Sequence, residues 1–259
     1  MGSTTFEADV DIEGSRFRGP VVADEARFHA DTCLRDTIFE ADASLDGVEF
    51  RGDANLIDDD VCFERATFGE GASFRKARFR YADFVDCTFG DDADFDEVRF
   101  TGDAEFARAA FEGRASFRGA TFEGDADVLI DDADFSDTTF GGLATFERAT
   151  FGLGRFEGAV FDDDADFEDA VFDDDAVFRG MTVAGSVTLT EARFHGDVDA
   201  SDASVARSVI ARGAEFHGGD NTEDEDASFT DAEIDGQFDA REAAFRGGVF
   251  DGLRVGGTA

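Results

Sequence analysis

The chain has 259 residues, with 62 acidic against 23 basic side chains and a formal net charge of −39. An apolar fraction of 42% is too high for a disordered acidic tail, so the chain is expected to fold. It offers no basic patch for a phosphate backbone and no run of about twenty apolar residues, which argues against direct nucleic-acid binding and membrane insertion.

From the N-terminus, Met1 to Phe6 show no charged region followed by an apolar run, so no signal peptide is expected. A regular register begins at once. Phe6, Ile12, Phe17, Ala23, Phe28, Leu34, Phe39, Leu45, Phe50 and Leu56 are separated by alternating steps of six and five residues, a period of eleven. Along the middle of the chain the same period is written almost wholly in phenylalanine, as in Phe89, Phe95, Phe100, Phe106, Phe111, Phe117 and Phe122. Alanine stands two residues before many of these, for example Ala82, Ala93, Ala104, Ala115, Ala133 and Ala144.

An eleven-residue period also suits a right-handed coiled coil. At about 100° per residue, however, the Phe and Ala positions spread around the whole helix and leave no apolar face. A pair two residues apart instead points to one side of a strand. Each unit therefore reads as a very short strand and a turn, with Phe and Ala inward. The extra Gly or Asp of the six-residue step is expected to sit at a corner that needs a positive φ. One unit cannot bury its small apolar face alone, so units must stack into a coil. Four sides of five, six, five and six residues make one turn of 22, and parallel stacking with one crossover hand winds it to the right. The expected fold is all-β, a right-handed quadrilateral parallel β-helix of about eleven coils and on the order of 50 Å long.

The irregularities are ordered as well. From Leu56 and again from Val128 the steps run 7, 5, 6, 5, 5, 5, 6, an offset of 72 residues that indicates an internal duplication of about 56–95 onto 128–167. From Phe172 the register continues through Phe178, Val183, Leu189, Phe194, Ala200, Val205, Ala211 and Phe216. At Ala200 the residue two before is Val198, and at Ala240 it is Phe238, so large and small exchange places with the filling volume expected to be roughly kept. Residues 217–226 are polar and are expected to project as a loop. The whole chain, 1–259, reads as one solenoid.

The triplets Ala82-Asp83-Phe84, Ala93-Asp94-Phe95 and Ala133-Asp134-Phe135 resemble the unit of the pentapeptide-repeat family, which is Ala, then Asp or Asn, then Leu or Phe, then two variable residues. The resemblance covers most of the chain. It implies a right-handed quadrilateral β-helix that often ends in a dimer contact or a capping helix. Some members of that family resemble duplex DNA in shape and charge and inhibit or protect type II topoisomerases.

A filled coil leaves no enclosed pocket, so no catalytic residues and no cofactor are expected, and the protein is read as non-enzymatic. Cys33, Cys62 and Cys87 lack C-x-x-C spacing, which points away from a disulfide framework or structural zinc and toward a reducing, cytoplasmic setting. Cys87 is expected inward, in an alanine-type slot; Cys33 and Cys62 are expected outward. His195 and His217 are 22 residues apart and should stack on one face, where with Asp197 they are candidate metal ligands, although solvated surface histidines are the simpler reading. The acidic corners Asp58-Asp59-Asp60, Asp162-Asp163-Asp164 and Asp173-Asp174-Asp175 are read as solvated turns rather than Ca²⁺ sites, since no calcium-binding nonapeptide is present.

The acidity, with Lys76 as the single lysine, fits a surface adapted to a high-salt cytoplasm, and that reading predicts charge on every face. The function expected is a protein-interaction scaffold whose protein partner the sequence does not name. The alternative is a DNA mimic that binds and modulates gyrase, with carboxylates ordered along one or two faces. Phe245, Phe250, Leu253 and Val255 make the C-terminal coil apolar and are candidates for an end-to-end homodimer contact.

Overall fold

A computed structural model describes residues 4–52, 61–124, 133–218 and 227–257. Among them the regular structure is a series of two-residue strands joined by short turns. As far as Ala244–Phe245 the strands fall in rotation onto four parallel sheets, of eleven, ten, eleven and ten strands in all, and the last strand, Arg254–Val255, follows on the third side after a single bridge from Val249 to Ser228 on the second. The first coil sets the sides: Thr5–Phe6 opens the first, Val10–Asp11 the second, Arg16–Phe17 the third and Val21–Val22 the fourth. The architecture is the right-handed quadrilateral β-helix expected from the sequence. Every recorded strand pairing is parallel, and Phe6 is in register with Phe28, Phe17 with Phe39 and Ala43 with Ala72.

The alternation of two explains which residues face in. On the first and third sides the second strand residue is inward, as in Arg27–Phe28, where Arg27 is exposed and Phe28 buried. On the second and fourth sides the first residue is inward, as in Ala93–Asp94. Its outward Asp has a local task, because Asp94 Oδ1 accepts a hydrogen bond from the Asp96 N–H at 2.9 Å, and Asp83 and Asp134 do the same for Val85 and Ser136 at 2.7 and 2.8 Å. The Asp of each Ala-Asp-Phe triplet thus satisfies a backbone donor that the turn would leave unpaired.

The corners differ from the expectation. Positive φ falls mostly in the five-residue steps, two residues after the centres of the second and fourth sides, at Asp36 (56°), Lys76 (58°), Asp86 (56°) and Arg108 (59°); the expected glycine corner of a six-residue step is seen at Gly52 (58°) and Gly124 (63°), where two of the long connections leave the first side. The five-residue steps are turns closed by the N–H of Thr37 on Leu34 O (3.1 Å) and of Cys87 on Phe84 O (3.1 Å), with the left-handed residue in the third position of a type II turn. Glycine elsewhere in the six-residue steps answers a different need. A Cβ on Gly196 would lie 2.4 Å from the Asp174 carbonyl carbon, and one on Gly185 would lie 2.6 Å from that of Asp163. There the chain touches the coil below, so the missing side chain matters and the sign of φ does not.

Inside, rings stack coil upon coil. Phe63, Phe84, Phe106, Phe135 and Phe156 form one column with centroid spacings of 4.7 to 5.0 Å, and Phe84 meets Phe95 of the opposite column edge-on at 5.6 Å. Cys87 lies inward as expected, and its Sγ meets the Phe63 carbonyl at 2.9 Å, much as the Thr138 hydroxyl donates to Phe106 O at 2.7 Å. The exchange of large for small near Ala200 does not conserve volume. An apolar cavity of about 50 Å³ remains there, bounded by Phe178, Leu189, Val198, Ala200, Val205 and Val209.

Three connections of ten residues interrupt the short turns: from Glu49–Phe50 to Val61–Cys62, from Thr121–Phe122 to Ala133–Asp134, and from Glu215–Phe216 to Ala227–Ser228. All three cross from the first side to the second, and register resumes after each. The centres expected at Leu56 and Val128, the corner Asp58-Asp59-Asp60 and most of the 217–226 loop lie outside the described residues.

Candidate functional site

With the interior occupied by packed side chains, polar chemistry is confined to outward columns whose members repeat once per coil, about 4.8 Å apart. The four columns are not alike. Along the first side the strand residues include Arg27, Arg78, Arg99 and Arg193, and all three histidines follow the centres of that side. His195 and His217 stack as the sequence places them, with ring centroids 5.8 Å apart. Each imidazole engages a carboxylate, His195 Nδ1 with Asp173 Oδ1 and His217 Nε2 with Glu215 Oε2, both at 3.1 Å. Asp197 lies at the next corner, where its N–H donates to Asp175 Oδ1 at 2.8 Å.

The third side is different in charge. Its strand residues from the second to the ninth coil are Ile38, Thr67, Thr88, Ala110, Thr139, Val160, Thr182 and Ser204, with no ionisable group among them. On a chain of net charge −39 this is a continuous neutral stripe. Charge on every face, as expected of a uniformly adapted surface, therefore holds only when the positions after the centres, such as Glu40, Glu112 and Asp162, are included.

Many carboxylates are engaged by the protein. At the corners Asp92, Asp164 and Asp175 accept the N–H of Arg114 (2.9 Å), Ser186 (2.7 Å) and Asp197 (2.8 Å) one coil later. On the fourth side Asp24, Asp46 and Asp96 take the hydroxyls of Ser44, Ser73 and Ser116. Between the second and third sides the left-handed turn residues alternate in sign: Arg65 Nε binds Asp36 at 2.8 Å, and Arg108 Nε binds Asp86 at 2.8 Å. The Arg65 and Arg108 hydrogen bonds hold the Asp36 and Asp86 carboxyls below the usual range.

The outward column of the second side begins Asp11, Cys33, Cys62, Asp83 and Glu105, register neighbours on successive coils. Cys33 and Cys62 face outward as expected, yet Cys62 and Asp83 are both buried, and Cys62 Sγ lies 3.8 Å from Asp83 Oδ2. Burial pushes the Cys62 thiol up to about 12. Sequence spacing hid this cluster, because the ten-residue connection before Val61 separates the two thiols by more than one 22-residue coil.

The expected dimer residues gather at the C-terminal end. Phe245 stacks on Phe216 at 4.5 Å and Phe250 on Phe229 at 5.3 Å, so these rings cap their columns with one face uncovered. Phe250 and Val255 remain 41% and 43% exposed, against nearly complete burial for mid-rod phenylalanines, and Leu253 is partly buried. No helix of the described residues is long and apolar enough to cross a membrane.

Among curated proteins none matches in sequence. Solved structures that resemble the chain include QnrB1, a plasmid-mediated fluoroquinolone resistance protein, at 15% identity over 97% of this chain and 88% of that one, with a TM-score of 0.29. Another is HetL, a pentapeptide repeat protein involved in heterocyst differentiation regulation from the cyanobacterium Nostoc sp. strain PCC 7120, at 14% identity over 94% of this chain and 88% of that one, with a TM-score of 0.26. The family profile described as pentapeptide repeats (9 copies) matches residues 12–58, 57–99, 84–128 and 128–171, more than half of the chain. The stacked triplets and their inward columns are the product of that repeat, and the chain belongs to the pentapeptide-repeat family.

Proposed function

We propose that the protein is a non-enzymatic interaction scaffold, a single rod adapted to a high-salt cytoplasm that recognises a protein partner through its surface. The observation that carries this reading is the neutral stripe of the third side, from Ile38 to Ser204. Burying short uncharged side chains on a flat parallel sheet costs little desolvation, whereas the acid-bearing neighbours would resist it. The regular 4.8 Å pitch gives a partner a repeated set of equivalent contacts. An end-to-end homodimer through Phe245, Phe250, Leu253 and Val255 belongs to the same reading, as does growth of the rod by duplication of a 72-residue segment.

The test is an affinity pull-down from the source cytosol at high salt, comparing the wild type, a Thr139→Arg/Val160→Arg variant and an unrelated acidic protein. Capture by the wild type alone is expected. Equal capture by the double variant would remove the third side as the recognition face.

Mimicry of DNA toward gyrase is the second reading, supported by the −39 charge on a rod. The alternating Asp36–Arg65 and Asp86–Arg108 pairs weigh against it, since a duplex presents unbroken negative charge. A supercoiling assay at working salt separates the two: inhibition or protection of gyrase by micromolar protein would favour the mimic.

A further inference from the structure

We propose that the second side carries a site for a thiophilic divalent cation of the zinc class, held by Cys62, Asp83 and Glu64 with Cys33 as the fourth donor. Donor atoms of Cys62, Glu64 and Asp83 lie within 4.8 Å of one another, and Cys62 and Asp83 are buried while Glu64 is partly so. A tetrahedral zinc site with sulfur and oxygen ligands has donor separations of about 3.3 to 3.8 Å, so rotamer adjustment of roughly one ångström closes the cage. Cys33 is the register partner of Cys62 on the preceding coil, about 4.8 Å away along the sheet, so a second thiol comes next in the same outward column.

The chemistry selects the metal. Thiolate with carboxylate favours zinc, cobalt or cadmium over calcium or magnesium, which take all-oxygen shells. The many other carboxylates of the surface lack a sulfur neighbour of this kind: among the described residues the one other donor group containing a thiol is Asp11, Glu13 and Cys33, which is solvent-facing. Charge is also accommodated. Glu64 is ion-paired with Arg35 at 2.7 Å and with Arg65, so one of these guanidiniums must yield a carboxylate oxygen to the ion, and both remain on the same face to offset the excess negative charge of the loaded cage. The ion would tie together three successive coils at the point where the first ten-residue connection rejoins the rod. That connection is where the short-turn regularity first lapses, and a cross-coil ligand set holds the register there.

The experiment is titration of the reduced, metal-free full chain with Co²⁺, read by the near-ultraviolet thiolate-to-cobalt charge-transfer band and the visible bands of tetrahedral cobalt, followed by Zn²⁺ competition. Surface carboxylates cannot produce the charge-transfer band. The expected result is saturation at one cobalt per chain with displacement by zinc. Cys62→Ser should abolish the band, Cys33→Ser should weaken it by about half, and Asp83→Asn should weaken affinity roughly tenfold or more, while Cys87→Ser leaves the band in place. Far-ultraviolet circular dichroism checks that each variant keeps its β-helix. Should Cys62→Ser fail to fold, Cys33→Ser and Glu64→Gln carry the same test. Absence of a charge-transfer band in the wild type, or a band that survives both Cys62→Ser and Cys33→Ser, would overturn the proposal.

Discussion

Phe84 and Phe106 stand 22 residues apart in the chain and lie face to face in the core, with ring centroids 4.7 Å apart and planes within 2° of parallel. The pair shows how one turn of the coil converts sequence period into contact. Each ring also meets rings of the opposite column edge-on, Phe106 with Phe95 and Phe117 at 5.5 and 5.6 Å.

Phe106 is fully buried in mid-rod, so its loss leaves a cavity that neighbouring rings cannot fill. Phe106→Ala is expected to cost about 3–5 kcal/mol. Because each coil touches only its neighbours, the effect should be local, with hydrogen-exchange protection falling first in the adjacent coils. Denaturant melts and exchange measurements check both statements, and uniform loss of protection along the rod would contradict the second.

The cavity beside Ala200 makes the opposite change favourable. At ~24 cal/mol per Å³, filling about 50 Å³ is worth about 1 kcal/mol, so Ala200→Leu should raise stability by roughly that amount. Ala211 is fully buried and does not bound the cavity, so Ala211→Leu should instead cost about 1–3 kcal/mol through overpacking. Thermal melts of the two variants should move in opposite directions.

The two kinds of corner give a second pair of opposite signs. Gly196→Ala drives a Cβ to 2.4 Å from Asp174 and should destabilise by about 1–3 kcal/mol. Asp202 holds φ at 59°, where a side chain is disfavoured, and Asp202→Gly should stabilise by a few tenths to about 1 kcal/mol. Equal effects of both substitutions would mean the corners are not distinguished as described.

Acidification should report on the turn ladder. The Arg108 hydrogen bonds at 2.8 and 3.0 Å lower the Asp86 pKa below its unfolded value. A depressed carboxylate contributes stability that is present above the unfolded pKa of about 4 and lost as pH falls through the folded one. Asp166 has the opposite sign: burial raises its pKa, so its charged form costs stability that is recovered on protonation. Carboxyl NMR titration should place Asp86 below and Asp166 above the ordinary range, and Arg108→Gln should return Asp86 toward it.

The uncovered end rings should make the rod self-associate. Light scattering at high salt is expected to give twice the chain mass for the wild type and the chain mass for Phe250→Glu, which sets a charge on the end of its column. A monomeric wild type would remove the end-to-end contact.

The coil, its four sides and its inward columns were legible in the sequence, because burial repeats every 22 residues and the Ala and Phe of each unit point the same way. The outward direction of Cys33, Cys62 and the histidines followed from the same alternation. What one coil does to the next was not legible. The contact beneath Gly196 and the space beside Ala200 depend on how backbones and rings of neighbouring coils meet. Cys33 and Cys62 are neighbours because a ten-residue connection in place of the usual short one left the register intact, a relation that spacing along the chain conceals. The neutral third side is of the same kind, since its residues lie a coil apart in sequence and form a surface only when stacked. Periodic burial thus determined the fold locally, and inter-coil register in three dimensions decided which side chains share a site.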